Sequence, residues 1–167
     1  MNTTSVNTNC VGLDYSQKSK LDDFLAQYAY ELDEANVEAW IQFFTPTGVY
    51  ELTTAYNLSS NLPLGIIYCK GHGMMVDRVR ALLTANIFEL HKYTHIFTNP
   101  IAEKKDDIIF SRSNFIVYRT MESGVSQVFA TGKYLDQIIE TDEGLKFLER
   151  KAVIDSKRVD TLIVYPI

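Results

Sequence analysis

At 167 residues, 46% hydrophobic and 22% charged, the chain fits one globular domain with a real core, and two domains are hard to accommodate. A formal charge of -5 with no Lys/Arg run longer than two residues excludes nucleic acid as a partner, since phosphate recognition needs concentrated positive charge. No apolar run approaches the roughly 18 residues needed to cross a bilayer, and the Asn/Thr-rich start has neither the basic nor the apolar region of a signal peptide. The expectation is a cytoplasmic protein without membrane contact.

Residues 1–14 lack periodicity and read as a flexible N-terminal arm, with a single folded domain over 15–167. Leu21, Phe24, Leu25, Tyr28 and Leu32 share one helical face, which predicts a first amphipathic helix. Asn36 is placed to cap a second, shorter helix presenting Val37, Trp40, Ile41 and Phe44, and Pro46 and Gly48 would stop it. Val49 to Thr54 is β-branched and aromatic and predicts a strand, whereas Ala55 to Gly73, with its Asn, Ser, Pro and Gly, reads as a long loop. A third helix carries Met75, Val79, Leu82, Leu83 and Leu90 on its apolar side and ends near Leu90.

Strand follows strand after that. Tyr93 to Ala102, Ile108 to Met121, Val125 to Glu140 and Leu145 to Ile154 are separated by turns at Glu103–Asp107, Glu122–Gly124 and Thr141–Gly144, and a last segment surrounds Leu162 to Tyr165. Strands of such length do not stay flat, so twist or bulges should curl the sheet around the helices. Helices first and antiparallel strands later specify an α+β fold: a strongly curved, mainly antiparallel sheet with N-terminal helices packed against it.

Chemistry-bearing residues are few. His91 and His95 stand four apart, but a Lys follows His91 where a metalloprotease needs its Glu base, and the segment runs from a helix end into a strand, which would part the two imidazoles. With His72, and with Glu89 or Asp77 as acids, they make an iron site only by arithmetic. Cys10 and Cys69 form neither a disulfide framework nor a cluster motif; they suit a reducing cytoplasm and, without suitably spaced His, cannot hold a Rieske centre. Gly71-His72-Gly73 lacks the Lys-Ser/Thr pair of a phosphate loop and reads as a turn before the third helix. There is no Gly-x-Ser-x-Gly elbow, and no His sits beside either Cys in the sequence to activate it.

Polar residues do fall in segments patterned as core: Asp33, His95, Asn99, Asn114, Tyr134 and Asp136. An Asp and a His at the mouth of a cone would serve as acid and base for dehydration or isomerisation. The commoner role for such groups is structural, as satisfied buried or interface residues, and that reading is preferred.

Phe24 to Phe44 reads as an apolar helix running to a Leu-Asp-Glu turn and a Trp-bearing second helix. Asp77-Arg78-Val79-Arg80-Ala81-Leu82, then Thr94-His95-Ile96-Phe97-Thr98-Asn99, Ser113-Asn114-Phe115 with Tyr118-Arg119, Gly132-Lys133-Tyr134 with Asp136, and Arg150 to Asp155 follow it. In that order, over about residues 20–167, the set resembles the small (beta) subunits of aromatic-ring-hydroxylating dioxygenases. Thr94 stands where the family usually has Arg, and Gly48 where an Asp is common, so no salt bridge carries over at those two places.

The resemblance implies a nuclear-transport-factor-like, polyketide-cyclase-like cone with no catalytic residue, cofactor or metal ligand of its own. It also implies a large (alpha) subunit bearing a Rieske [2Fe-2S] cluster and a mononuclear iron, three large plus three small subunits, and electron-transfer components that act indirectly. Gly73 to His91 looks most like small subunits of systems acting on anthranilate, salicylate or related single-ring acids. Two other functions stay open on the residues alone: a free-standing cone-fold dehydratase, isomerase or cyclase using Asp33 and His95, and a ligand-binding module.

Overall fold

The computed structural model describes residues 11–63, 65–84, 89–157 and 163–167. Of the expected N-terminal arm, residues 1–10 lie outside the described residues; Val11–Gly12 form a short strand, β1, paired with β5 (Ile101–Lys105). Helix α1 spans Tyr15–Asp33. Its start is set by a reciprocal cap, in which the Gln17 N–H donates to the Asp14 carboxylate at 2.8 Å and the Asp14 N–H donates to the Gln17 side-chain oxygen at 3.1 Å. Leu21, Leu25, Tyr28, Ala29 and Leu32 are the face it buries. After a reversal at Ala35, whose φ is +56°, α2 (Val37–Ile41) buries Val37, Trp40 and Ile41.

Several boundaries differ from expectation for physical reasons. Asn36 makes no side-chain cap; its amide donates instead to Glu31 at 2.7 Å. Phe44 belongs not to α2 but to strand β2 (Phe44–Thr54), so Pro46 and Gly48 lie inside a strand rather than ending a helix. They are tolerated because the register against β8 (Gly144–Ile154) shifts between Phe44 and Val49, a bulge where Pro costs no ladder bond. A Cβ on Gly48 would stand 2.9 Å from the Phe147 carbonyl oxygen, so the approach of the two strands requires glycine there.

The expected loop over 55–73 contains α3 (Ala55–Ser59), capped by the Thr54 hydroxyl, and β3 (Ile67–Lys70), which pairs with β2. Cys69 is thus in a strand, buried on the same face as Ile67. Helix α4 (Gly71–Thr84) buries Met75, Val79 and Leu82; Leu83, expected on the same side, is one step off that face and exposed, Leu90 lies beyond the helix and is exposed, and residues 85–88 are outside the described residues.

The single strand expected over Tyr93–Ala102 is two strands, β4 (His91–Phe97) and β5. Pro100, which has no N–H to offer a ladder, lies in the break, and there the Thr98 hydroxyl accepts the Asn114 N–H. Both strands pair with β6 (Ile108–Met121), β4 along its second half and β5 along its first. Glu103 to Lys105 remain in β5, and the chain reverses at Asp106, whose φ is +54°. Strand β7 (Ser126–Thr141) and β8 match the sequence pattern closely. Of the last expected strand, Leu162 lies outside the described residues; Ile163, Val164, Pro166 and Ile167 are buried and Tyr165 half-buried, and none of them joins the sheet.

The sheet order is β1-β5-β6-β7-β8-β2-β3, with β4 also on β6 and one parallel pair, β2 with β8. Register shifts at Val117/Tyr118 and Gln137/Ile138 bend the long strands. Gly132 lets β7 and β8 close up, since a Cβ there would meet the Val153 carbonyl oxygen at 2.1 Å. The result is the expected α+β cone, open and not a closed barrel, whose concave face packs on α1 and α2 through Tyr28, Trp40, Phe44, Tyr50 and Phe147.

Candidate functional site

The Asp33–His95 and Asp136–Arg150 pairs lie inside the cone. The first joins the end of α1 to β4. The ring Nδ1 of His95 is 2.6 Å from the Asp33 carboxylate, and the His95 backbone N–H donates to the same carboxylate at 3.0 and 3.2 Å. An ionised carboxylate only accepts, so Nδ1 carries the proton. Among the described residues β4 pairs with β6 alone, and Asp33 satisfies an N–H on its open edge. The His95 side chain is 1% exposed and that of Asp33 25%. A recess of about 150 Å³ touches Asp33, Tyr93 and Tyr165 but not His95. The His95 Nε2 is buried without a partner.

The second pair is deeper. Asp136 and Arg150 are Cα partners on β7 and β8, with Nη1 3.6 Å from Oδ2 and side chains 0% and 3% exposed. The guanidinium lies over the rings of Tyr134 at 3.8 Å, Tyr28 at 4.1 Å and Phe147 at 4.7 Å, a cage that suits a weakly hydrated planar cation. Burial pushes the Asp136 carboxyl up to about 6, against the opposing pull of Arg150. Burial likewise raises the Tyr28 phenol to about 12.

The structure brings Asp33 and His95 together, and Tyr134 and Asp136 into the core. Asn99 and Asn114 are not core residues: both are exposed. The sequence pattern also passed over Arg150 as a core residue. Strict alternation from Phe147 sends Arg150 outward, but the register shift opposite Gln137/Ile138 inserts a residue and turns it inward. The opposed Asp136 is the one signal that predicts a buried cation there.

His72 Nε2 lies 3.0 Å from the Phe44 carbonyl, and His91 Nδ1 2.7 Å from that of Glu89. His91 and His95 are both in β4 rather than on a helix, so four residues of strand separate their Cα atoms by roughly 13 Å. Cys69 is buried, its thiol pKa raised by that burial, and Cys10 is outside the described residues. Among the described residues no group of three or more His, Cys, Asp or Glu side chains is placed to hold a metal ion, and none of their helices is long and apolar enough to cross a membrane.

A family model for the ring hydroxylating beta subunit matches residues 27–161. The chain belongs to that family. The small subunit of anthranilate 1,2-dioxygenase from Burkholderia cepacia is 36% identical over 142 residues, 84% of this chain and 88% of the relative. The beta 1 subunit of the terminal oxygenase component of terephthalate 1,2-dioxygenase from a Comamonas species is 39% identical over 145 residues, 86% of this chain and 94% of the relative. Among solved structures, a beta subunit assigned to an aromatic-ring-hydroxylating dioxygenase of Novosphingobium aromaticivorans superposes with a TM-score of 0.81 at 28% identity, covering 90% of this chain and 96% of that one. This beta subunit thus shares its cone with that solved structure, and both of its acid–base pairs are built into the framework.

Proposed function

We propose that this beta subunit is the non-catalytic scaffold of an aromatic-ring-hydroxylating dioxygenase, with no catalytic or metal-binding residue of its own. One observation carries the reading: the His95–Asp33 pair inside the cone is spent on closing it. Asp33 takes both the ring and the main-chain N–H of His95, and the imidazole has no opening to a substrate. The redox chemistry then belongs to a large subunit carrying the Rieske cluster and mononuclear iron, supplied indirectly by electron-transfer components. Three large and three small subunits are the proposed assembly.

Association is supported by apolar side chains on the sheet's outer face, where Ile96, Phe110, Ile116 and Tyr118 of β4 and β6 remain exposed. A single-ring aromatic acid is the proposed substrate class, on the strength of relatives named for anthranilate and terephthalate. Purification of the chain alone and with its large subunit tests the proposal. All iron should partition with the large subunit, and turnover should require it. Iron bound stoichiometrically to this chain after chelation, or ring hydroxylation by this chain alone, would overturn it.

A further inference from the structure

We propose that the cone interior is a binding site for a short apolar peptide, and that residues 163–167, Ile-Val-Tyr-Pro-Ile, are its ligand, docked within the same chain. These residues belong to no strand or helix, yet Ile163, Val164 and Ile167 are buried, Ile167 completely. A buried segment outside the sheet must find partners for its main chain elsewhere. Here side chains supply them.

The Tyr50 hydroxyl accepts the Ile167 N–H at 2.9 Å and donates to the Ile167 carbonyl at 3.2 Å, so one phenol reads both polar groups of one residue. Tyr28 donates to the same carbonyl at 3.5 Å and is held by the Trp40 indole N–H at 3.1 Å. Arg78 donates to the Ile163 carbonyl at 3.2 Å, and the Tyr165 ring packs edge-on against Tyr93 with centroids 5.8 Å apart. The receptor groups come from α1, β2, α4 and β4, four elements that converge on one segment, with Trp40 of α2 behind Tyr28.

That is the anatomy of ligand recognition: polar side chains on the Ile163 carbonyl and on both main-chain groups of Ile167, with aromatic rings beside them. The ligand class follows from it, a branched apolar residue whose main-chain N–H and C=O face a tyrosine. In the intact chain the site is filled from within, so a small molecule entering the cone has to displace its own polypeptide.

A protease recognition sequence inserted between Lys157 and Ile163 of the full chain provides the test, because the protein folds before it is cut. After cleavage the fragment carrying residues 163–167 should stay bound through gel filtration. Excess isotope-labelled Ile-Val-Tyr-Pro-Ile should exchange for it, followed by mass spectrometry and by fluorescence of Trp40, the chain's one tryptophan. Tyr50→Phe should weaken retention at least tenfold, while Tyr30→Phe, an exposed control, should not. A cut protein that loses the fragment with unchanged melting temperature and Trp40 emission would overturn the proposal. So would one that unfolds on cutting and is not restored by the peptide, since the segment would then be an inseparable part of the fold.

Discussion

The Asp33–His95 and Asp136–Arg150 pairs differ in a way opposite to what their distances suggest. The first is short, 2.6 Å, and has the residue types of a catalytic dyad, yet its carboxylate is partly exposed and its imidazole is shut in. The second is long, 3.6 Å, and has no catalytic look, yet both partners are removed from water and caged by rings. Desolvation of a charge costs several kcal/mol per ion unless it is repaid locally, so the deep pair dominates the electrostatics of the cone. The short pair works mainly through hydrogen bonds, tying the end of α1 to an edge strand. Accessibility, more than proximity, separates a framework pair from a reactive one.

Removing one member of the deep pair should have the largest effect. Arg150→Ala leaves the Asp136 carboxylate buried without its cation and strips the rings of Tyr28 and Tyr134 of their partner, and should cost about 3 to 5 kcal/mol in urea unfolding. Adding Asp136→Leu to Arg150→Met should recover most of that loss, because two apolar groups need no repayment. A loss under about 1 kcal/mol for Arg150→Ala would show that water or neighbouring dipoles already shield Asp136, and the contrast between the pairs would collapse.

The clamp should matter less. Asp33→Ala removes the acceptor for two buried donors of His95 and should cost about 1 to 3 kcal/mol; His95→Ala removes the ring partner but leaves the residue-95 N–H on the carboxylate and should cost about 1 kcal/mol. Turnover of the assembled oxygenase should fall only as far as assembly falls, read by oligomeric mass alongside rate. A His95→Ala protein that assembles fully but loses turnover by a factor of about 100, the usual worth of general acid–base catalysis, would make the clamp a catalytic dyad after all.

The long strands were legible because their alternation is strong and their turns carry glycine where φ is positive, at Gly124 and Gly144. Helices α1 and α4 were legible from their apolar faces. What escaped were places where a local irregularity overrides a period: the bulge that keeps Pro46 and Gly48 inside β2, and the register shift that turns Arg150 inward. Short elements escaped too, since Ile67 and Cys69 offer only two alternating positions amid turn-forming residues. Asp33 and His95 stood out singly, but they are 62 residues apart, and only the fold shows that the carboxylate serves a backbone N–H.

The titration of Asp136 tests the same contrast through pH. Burial raises its carboxyl from 3.8 to about 6, with Arg150 opposing. Between those values the folded chain holds a proton that the unfolded chain has released, so stability contributed by this group falls as pH rises through the window. The cost is absent below 3.8, complete above about 6, and opposite in sign to that of a carboxylate whose pKa is lowered by its partner. One proton limits the slope to about 1.4 kcal/mol per pH unit. Asp136→Asn has no proton to exchange and should lack that slope, so the difference in unfolding free energy between wild type and variant should change across pH 4 to 6 and level off above it. Carboxyl 13C shifts of Asp136 should move with a midpoint near 6. A midpoint below 4 would mean that Arg150 outweighs burial, and the deep pair would then be an ordinary ion pair that stabilises the fold more as pH rises.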